Sequence, residues 1–384
     1  MAATKTSVMI IGAGYAGLAC ALDLLRARQS SCEVTLVNRD TSFLNLTQLH
    51  RTVGLPIDAL RFSLADFAAR KGARFIQADV PVTRKLLGQW NQEQRIKLGD
   101  EIVPFDFLVL ATGAAPSPSG AHAQERVLGL GRLKREGLRP HLERFLETTP
   151  SQGRAITLVG GGATGLQFLF DLDDRLRSMH EDCMIHLVHE GERLLPSLPA
   201  ALGAYAMAKV RARGGTIWPH LRHRFLAQEE HEVVLQDAAG RERYASQLTL
   251  LLGGVGPYPF AMTANSFGQV AFSKRVLPGI FACGDCARFA GHGLNALTAQ
   301  AAVRKGKLVA ENILRTVRGE ALLPYDYCEQ GYFVSLGALD GAGWWLAPGT
   351  ILTGAAAFAI KSAVEAQFDL LLGGVDTYGM TELR

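Results

Sequence analysis

Two glycine turns, each set between a short apolar strand and a helical stretch, constrain this 384-residue chain more than any other feature. The first is Gly12-Ala13-Gly14-Tyr15-Ala16-Gly17, with an apolar strand over 7–11 before it. An Ala- and Leu-rich helix over 18–28 and a second strand over 33–37 follow. The second is Gly160-Gly161-Gly162-Ala163-Thr164-Gly165, 148 residues later, between a strand over 155–159 and a helix to about 177. A strand over 184–188 completes that unit. Strand, G-x-G-x-x-G, helix, strand is the context in which the triplet signals dinucleotide binding. The first glycine permits a sharp turn, the second lets the backbone approach a pyrophosphate, and the third lets the helix pack on the strand. The helix N-terminus then offers free N–H groups and the positive end of its dipole to the phosphates. Gly12, Gly14 and Gly17, with Tyr15 and Ala16 between them, therefore form one candidate cradle. Gly160, Gly162 and Gly165 form another. Tandem units predict two dinucleotides, economically one flavin and one nicotinamide.

Both units depart from the pattern where the second strand ends. An acidic residue is expected there for a ribose diol, but Asn38 and then Arg39 occupy the first unit. Asn38 can still accept one hydrogen bond and donate another, without the charge-assisted strength. In the second unit His189 takes the place and Glu190 follows one residue late. Glu190 is a candidate for the ribose, and a protonated His189 would favour a 2′-phosphate, which leaves NADPH open beside NADH. A second site that only packs is the alternative. Two further strands end informatively: 107–113 in Thr112-Gly113, and 276–285 in Gly284-Asp285. A carboxylate on a tight turn after a buried strand suits a sugar hydroxyl.

Composition narrows the class. A chain with 48% hydrophobic and 20% charged residues can bury two or three cores of ordinary domain size. No window reaches the ~18 apolar residues of a membrane span. Lys and Arg exceed Asp and Glu by only four and are dispersed, so no nucleic-acid surface is expected. Cys20, Cys32, Cys183, Cys283, Cys286 and Cys328 are too few and scattered for a disulfide scaffold. A reducing, cytoplasmic setting is the expectation. Cys283-Gly-Asp-Cys286 has redox or half-zinc spacing, but no second C-x-x-C exists, so no metal is expected and packing is the favoured role.

Together these motifs resemble the two-dinucleotide-binding-domain flavoproteins and, among them, the type II NADH dehydrogenases, over about 8–343. The resemblance implies an α/β fold with two Rossmann-like domains, the second inserted into the first. The expected division is 1–118 and 257–318 for FAD, 119–256 for NADH or NADPH, and 319–384 as a capping, dimer or membrane-proximal segment. It further implies that the first glycine turn, with Val80 beside it, binds FAD, and that Gly284-Asp285 holds the ribityl chain. Ala111-Thr112-Gly113 marks a crossing between domains. Gln48–Gly54 resembles the segment passing near the flavin, and Glu190–Pro196 and Leu252–Pro257 resemble family turns. Thr298-Ala299-Gln300-Ala301-Ala302 resembles the helix start under the isoalloxazine, beside which the quinone sits.

Gln167 stands where the family carries Glu, and Arg304 where it carries a second Gln; an arginine suits an anionic acceptor better than a neutral one. His50, Gln167 and Gln300 are the candidate catalytic residues, with His292 as a modest further candidate. Tyr325, Tyr327 and Tyr332 are divided between acceptor pocket and aromatic core. Cys183 and Cys328 would have to converge on the flavin for sulfide chemistry. The helix expected over 352–372 carries Lys361, Glu365 and Asp369 four apart, which predicts a solvated face rather than a membrane anchor. Trp344-Trp345-Leu346 is expected in a core or dimer seam. The expected activity is transfer of two electrons from NAD(P)H through FAD to a small, quinone-like acceptor. A flavin oxidase with little nicotinamide use is the alternative, and a flavin-binding regulatory protein a third reading. Peripheral membrane contact and a homodimer stay open.

Overall fold

The structure is a computed structural model describing residues 5–26, 32–114, 125–253, 262–273 and 275–378. Strand Thr6–Ile11 is apolar on both faces, so it sits in the middle of a sheet covered on both sides. It pairs in parallel with Cys32–Asn38 on one edge and Phe107–Leu110 on the other. The eight-stranded sheet continues outward through Arg74–Gln77 at one end and Arg275–Ala282, Gln269–Phe272, Met262–Ala264 and Ala287–Phe289 at the other. One sheet thus takes strands from residues before 111 and after 261. The helix after the first glycine turn runs Tyr15–Arg26, so it begins earlier than the sequence suggests and Gly17 lies within its first turn.

A second, all-parallel sheet is ordered Ile217–Leu221, Met184–His189, Ala155–Val159, Leu248–Leu251, Val127–Gly129. Each sheet has its own core. Ile10, Leu18, Leu36 and Phe281 belong to the first, and Leu158, Phe168, Leu169 and Leu187 to the second. A small antiparallel sheet, Arg224–Gln228, Glu232–Gln236 and Arg241–Ala245, stands beside the second.

The C-terminal part forms three antiparallel strands, Gly331–Ser335, Gly341–Trp345 and Ala347–Thr353, and a helix over Gly354–Gly373. It is fastened to both larger units. Tyr205 Oη donates to Asp340 at 2.9 Å and Lys209 pairs with Asp340 at 2.5 Å, while Arg26 donates to Leu371 O at 2.7 Å. The charged stripe on this helix is a correction to the sequence reading. Lys361 is 6% exposed and the Glu365 side chain 9%, so both face inward, and only Asp369 is solvated. Their ion pair at 2.6 Å and the Arg51–Glu365 contact at 3.4 Å make that burial tolerable. Trp344 is buried in the second core, whereas Trp345 and Leu346 are exposed. Among the described residues no helix is long and apolar enough to cross a membrane.

Candidate active site

The two glycine turns are built alike. Gly12 N–H donates to Val37 O and Gly160 N–H to Val188 O, both at 2.8 Å. A Cβ on Gly12 would lie 2.2 Å from Ala111 O, and one on Gly160 2.7 Å from Leu252 O; both residues also have strongly positive φ. A Cβ on Gly17 or Gly165 would fall 1.9 or 1.8 Å from the carbonyl oxygen of the turn's first glycine. These four are glycine for reasons of folding. Gly14 and Gly162 are not: a Cβ on either meets no protein atom within 4 Å, and neither has a positive φ. The space in front of them is room for a ligand that must approach the backbone. Gly162 also N-caps the helix Ala163–Ser178 with no side-chain cap, so the first-turn amides stay available. The turns fit pyrophosphates.

Around the first turn, Tyr15 is a brace. Its Oη donates to Asn45 Oδ1 at 2.8 Å, and burial pushes the phenol up to about 12. Ala16 is buried where two later glycines close in: a Cβ on Gly284 would meet Ala16 Cβ at 2.9 Å, and one on Gly306 Ala16 O at 2.2 Å. Asn38 is partly spent within the protein, since its Oδ1 accepts from Ala13 N–H at 3.0 Å and its Nδ2 donates to Asp40 O at 2.9 Å. Arg39 is exposed beside Asp40, and Val80 packs half-buried on the first core beyond strand Arg74–Gln77. Thr112 and Gly113 leave the C-terminal end of strand Phe107–Leu110, Gly113 with φ +74°.

Gly284 and Asp285 open a short turn directly after strand Arg275–Ala282. Asp285 Oδ1 is buried without a hydrogen-bond partner, and burial raises its carboxyl against the charges of Lys305 and Lys134. An orphaned buried carboxylate oxygen fits a hydroxyl-bearing ligand. Lys134 and Lys305 escaped the sequence reading. Lys305 is 2% exposed and donates to Ala287 O at 2.8 Å. Its position in the buried 302, 305, 306, 309 stripe of helix Ala299–Arg318 was the available signal.

Cys20, Cys183, Cys283 and Cys286 are buried, Cys32 is half-buried and Cys328 is exposed. Cys283 and Cys286 are buried, burial raises both thiols, and Cys286 Sγ donates to Cys283 O at 3.2 Å. Cys183 packs in the second core at the start of strand Met184–His189, which puts it a strand length, roughly 16 Å, from the glycine-turn end of that sheet. Burial pushes its thiol up to about 12. Cys328 is exposed.

Thr298 caps the helix that begins at Ala299, accepting from Ala301 N–H at 3.2 Å. Gln300 is held at both ends: its Nε2 donates to Gln367 Oε1 at 3.1 Å, and its Oε1 accepts from Arg304 at 2.7 Å. Arg304 lies over the rings of Tyr327 and Tyr378, at 5.0 and 5.5 Å, while it holds Gln300. Tyr325 is buried and donates to Leu294 O at 3.0 Å; Tyr332 is half-buried and His292 exposed. His50, 5% exposed on the segment Leu46–Val53, places Nδ1 2.7 Å from Asp171 Oδ2, and its Nε2 has no protein partner. Asp171 stands one helical turn beyond half-buried Gln167. The sequence reading missed it, although that four-residue spacing was visible.

At the second turn, Gly161 N–H donates to His189 Nδ1 at 3.3 Å, which puts the ring proton on Nε2. Burial lowers the imidazole's affinity for a second proton. His189 is therefore neutral, and Glu190 beside it is exposed.

Residues 6–306 match the pyridine nucleotide-disulphide oxidoreductase family. The chain belongs to that family. Among individual proteins, this family member is 24% identical to the type II NADH:quinone oxidoreductase of Staphylococcus aureus, across 98% of both chains. An NDH2 from Plasmodium falciparum in complex with NADH superposes with TM-score 0.76 at 13% identity over 94% of each chain. The sulfide:quinone oxidoreductase of Aquifex aeolicus gives 0.74 at 14%, covering 97% of this chain and 92% of that one. Membership makes the chain an oxidoreductase; the two structural likenesses speak for the fold.

Proposed function

We propose that this chain is an FAD-dependent NAD(P)H oxidoreductase that passes two electrons to a quinone-like acceptor. The observation that carries this reading is the pair of matched cradles whose middle glycines have no packing reason to be glycine. FAD is assigned to 1–118 with 257–318, the nicotinamide to 119–256, and the capping role to 319–384. When bound, the flavin supplies hydride acceptance and two-electron donation. The chain supplies position and charge. Backbone amides of Gly12–Gly17 bind one pyrophosphate, with Asn38, Arg39 and Val80 along the adenosine half. Asp285 takes a ribityl hydroxyl, and Thr112 and Gly113 border the same ligand.

Gly160, Gly162 and Gly165 hold the second pyrophosphate, and Glu190 the adenosine ribose. Ala299 and Gln300 border the acceptor, with Gln300 fixed by Arg304 and Gln367. A quinone takes up two protons on reduction. Asp171 holds His50 through Nδ1, so that Nε2 is the atom that passes a proton toward the acceptor. Gln167, uncharged, contributes hydrogen bonding only. Quinone as acceptor follows the name of the Staphylococcus aureus relative. The buried, high-pKa thiols argue against a disulfide substrate.

The test is anaerobic. Purified protein should be yellow, lose its visible flavin absorbance on adding NADH, and regain it when a water-soluble benzoquinone is mixed in. Flavin that neither NADH nor NADPH reduces would overturn the reading.

A further inference from the structure

Among the described residues, one group of three metal-ligating side chains lies beside the small antiparallel sheet. His223 precedes strand Arg224–Gln228, Asp237 follows Glu232–Gln236, and Glu242 lies in Arg241–Ala245. His223 Nδ1 is 2.7 Å from Leu221 O, and a carbonyl only accepts, so the proton sits on Nδ1 and Nε2 faces the other way. Nε2 lies 3.9 Å from Asp237 Oδ2 and 3.6 Å from Glu242 Oε2. Asp237 is aimed by its own turn, in which Oδ1 accepts from Ala239 N–H at 2.8 Å and Gly240 N–H at 3.0 Å, leaving Oδ2 toward the histidine. Glu242 is aimed by Tyr244, whose hydroxyl donates to Oε2.

Two carboxylates thus converge on one imidazole nitrogen, and among the described residues neither has a Lys or Arg nitrogen within 4.0 Å. His220 packs edge-on against His223 with ring centroids 5.4 Å apart, which helps to hold that ring in place.

We infer that His223, Asp237 and Glu242 form a divalent-metal site suited to zinc, with an open position left for water. The three donor atoms all lie within 4.8 Å of one another. Zinc bonds of ~2.0–2.2 Å place ligands roughly 3.3–3.6 Å apart, so side-chain shifts of about 1 Å close the site. One imidazole and two carboxylates favour zinc or manganese over the softer ions that seek thiolates. Each donor is oriented by a second group, as metal ligands are: a carbonyl for His223, turn amides for Asp237, a phenol for Glu242. His223 N–H also donates to His189 O at 3.2 Å, which joins the site to the strand end of the second cradle. The inference is independent of the proposed redox function.

Chelator-treated full-length protein, titrated with zinc chloride against a chromophoric zinc indicator, should bind one zinc per chain at this site. His223→Ala and Glu242→Gln should each weaken that binding by about 10-fold or more. Cobalt(II) should give visible d–d bands in the parent that both variants lose. Asp237→Asn, which keeps the turn acceptor, stands in for any variant whose circular dichroism departs from the parent. No zinc uptake by the parent at micromolar protein, or uptake that the variants leave unchanged, would overturn the inference and leave His223 as an ordinary ion-pair partner.

Discussion

Gly14 separates folding from binding more cleanly than any other residue. Because a Cβ there meets only open space, Gly14→Val should leave the circular dichroism of the protein intact and yield it colourless. Stoichiometric flavin in the purified variant would sink the assignment of the first turn. Gly12→Val should instead fail to fold, since its side chain would start 2.2 Å from Ala111 O. At the second turn, the neutral His189 offers no charge to a 2′-phosphate and the exposed Glu190 repels one, so kcat/KM should favour NADH over NADPH. Glu190→Gln should narrow that preference, and equal constants for both coenzymes in the parent would contradict the ribose role. His220 sets a pH dependence of stability. Its folded value of about 4 lies below the ordinary 6.5, so the unfolded chain binds the proton first on acidification. The contribution is complete above pH 6.5 and is lost progressively as pH falls toward 4. Urea unfolding of metal-free protein at several pH values should show that loss, and His220→Asn should flatten it.

At the scale of elements, the C-terminal helix is the part whose role changed most between pattern and packing. Phe368 is 3% exposed, and its tilted ring has its centroid 4.5 Å from that of Tyr15 and 5.4 Å from that of Phe43, which ties the helix to the first glycine turn. Phe368→Ala should cost about 3–5 kcal/mol if the helix stays docked. A smaller loss in thermal unfolding, together with new proteolytic cuts in 354–373, would mean that the helix detaches on its own. The contact of 46–53 with helix Ala163–Ser178 is testable through the same logic. Asp171→Asn should slow quinone-dependent reoxidation at least 10-fold while leaving reduction by NADH within a factor of two. Equal slowing of both halves would make Asp171 merely structural.

At the scale of the whole molecule, the two cradles and their strands were legible because strand, turn and helix are local: glycine spacing and apolar runs are written within thirty residues. The same local reading located the strand that leads into Gly284-Asp285, and the family resemblance implied the helix start at Ala299. It failed wherever the partner is far along the chain. Lys361 and Glu365 look like a solvated stripe until Arg51 is brought against them, and the rings of Tyr327 and Tyr378 under Arg304 lie 23 and 74 residues further along the chain. Asn38 looked free for a ribose, yet the turn itself uses part of its amide. By itself the sequence determined the fold class, the family and the two phosphate cradles, because short-range sterics dictate them. Tertiary structure alone decided which charges are buried, which histidine stays neutral and which carboxylates face one imidazole, because burial and charge pairing depend on residues that meet only after the chain has closed on itself.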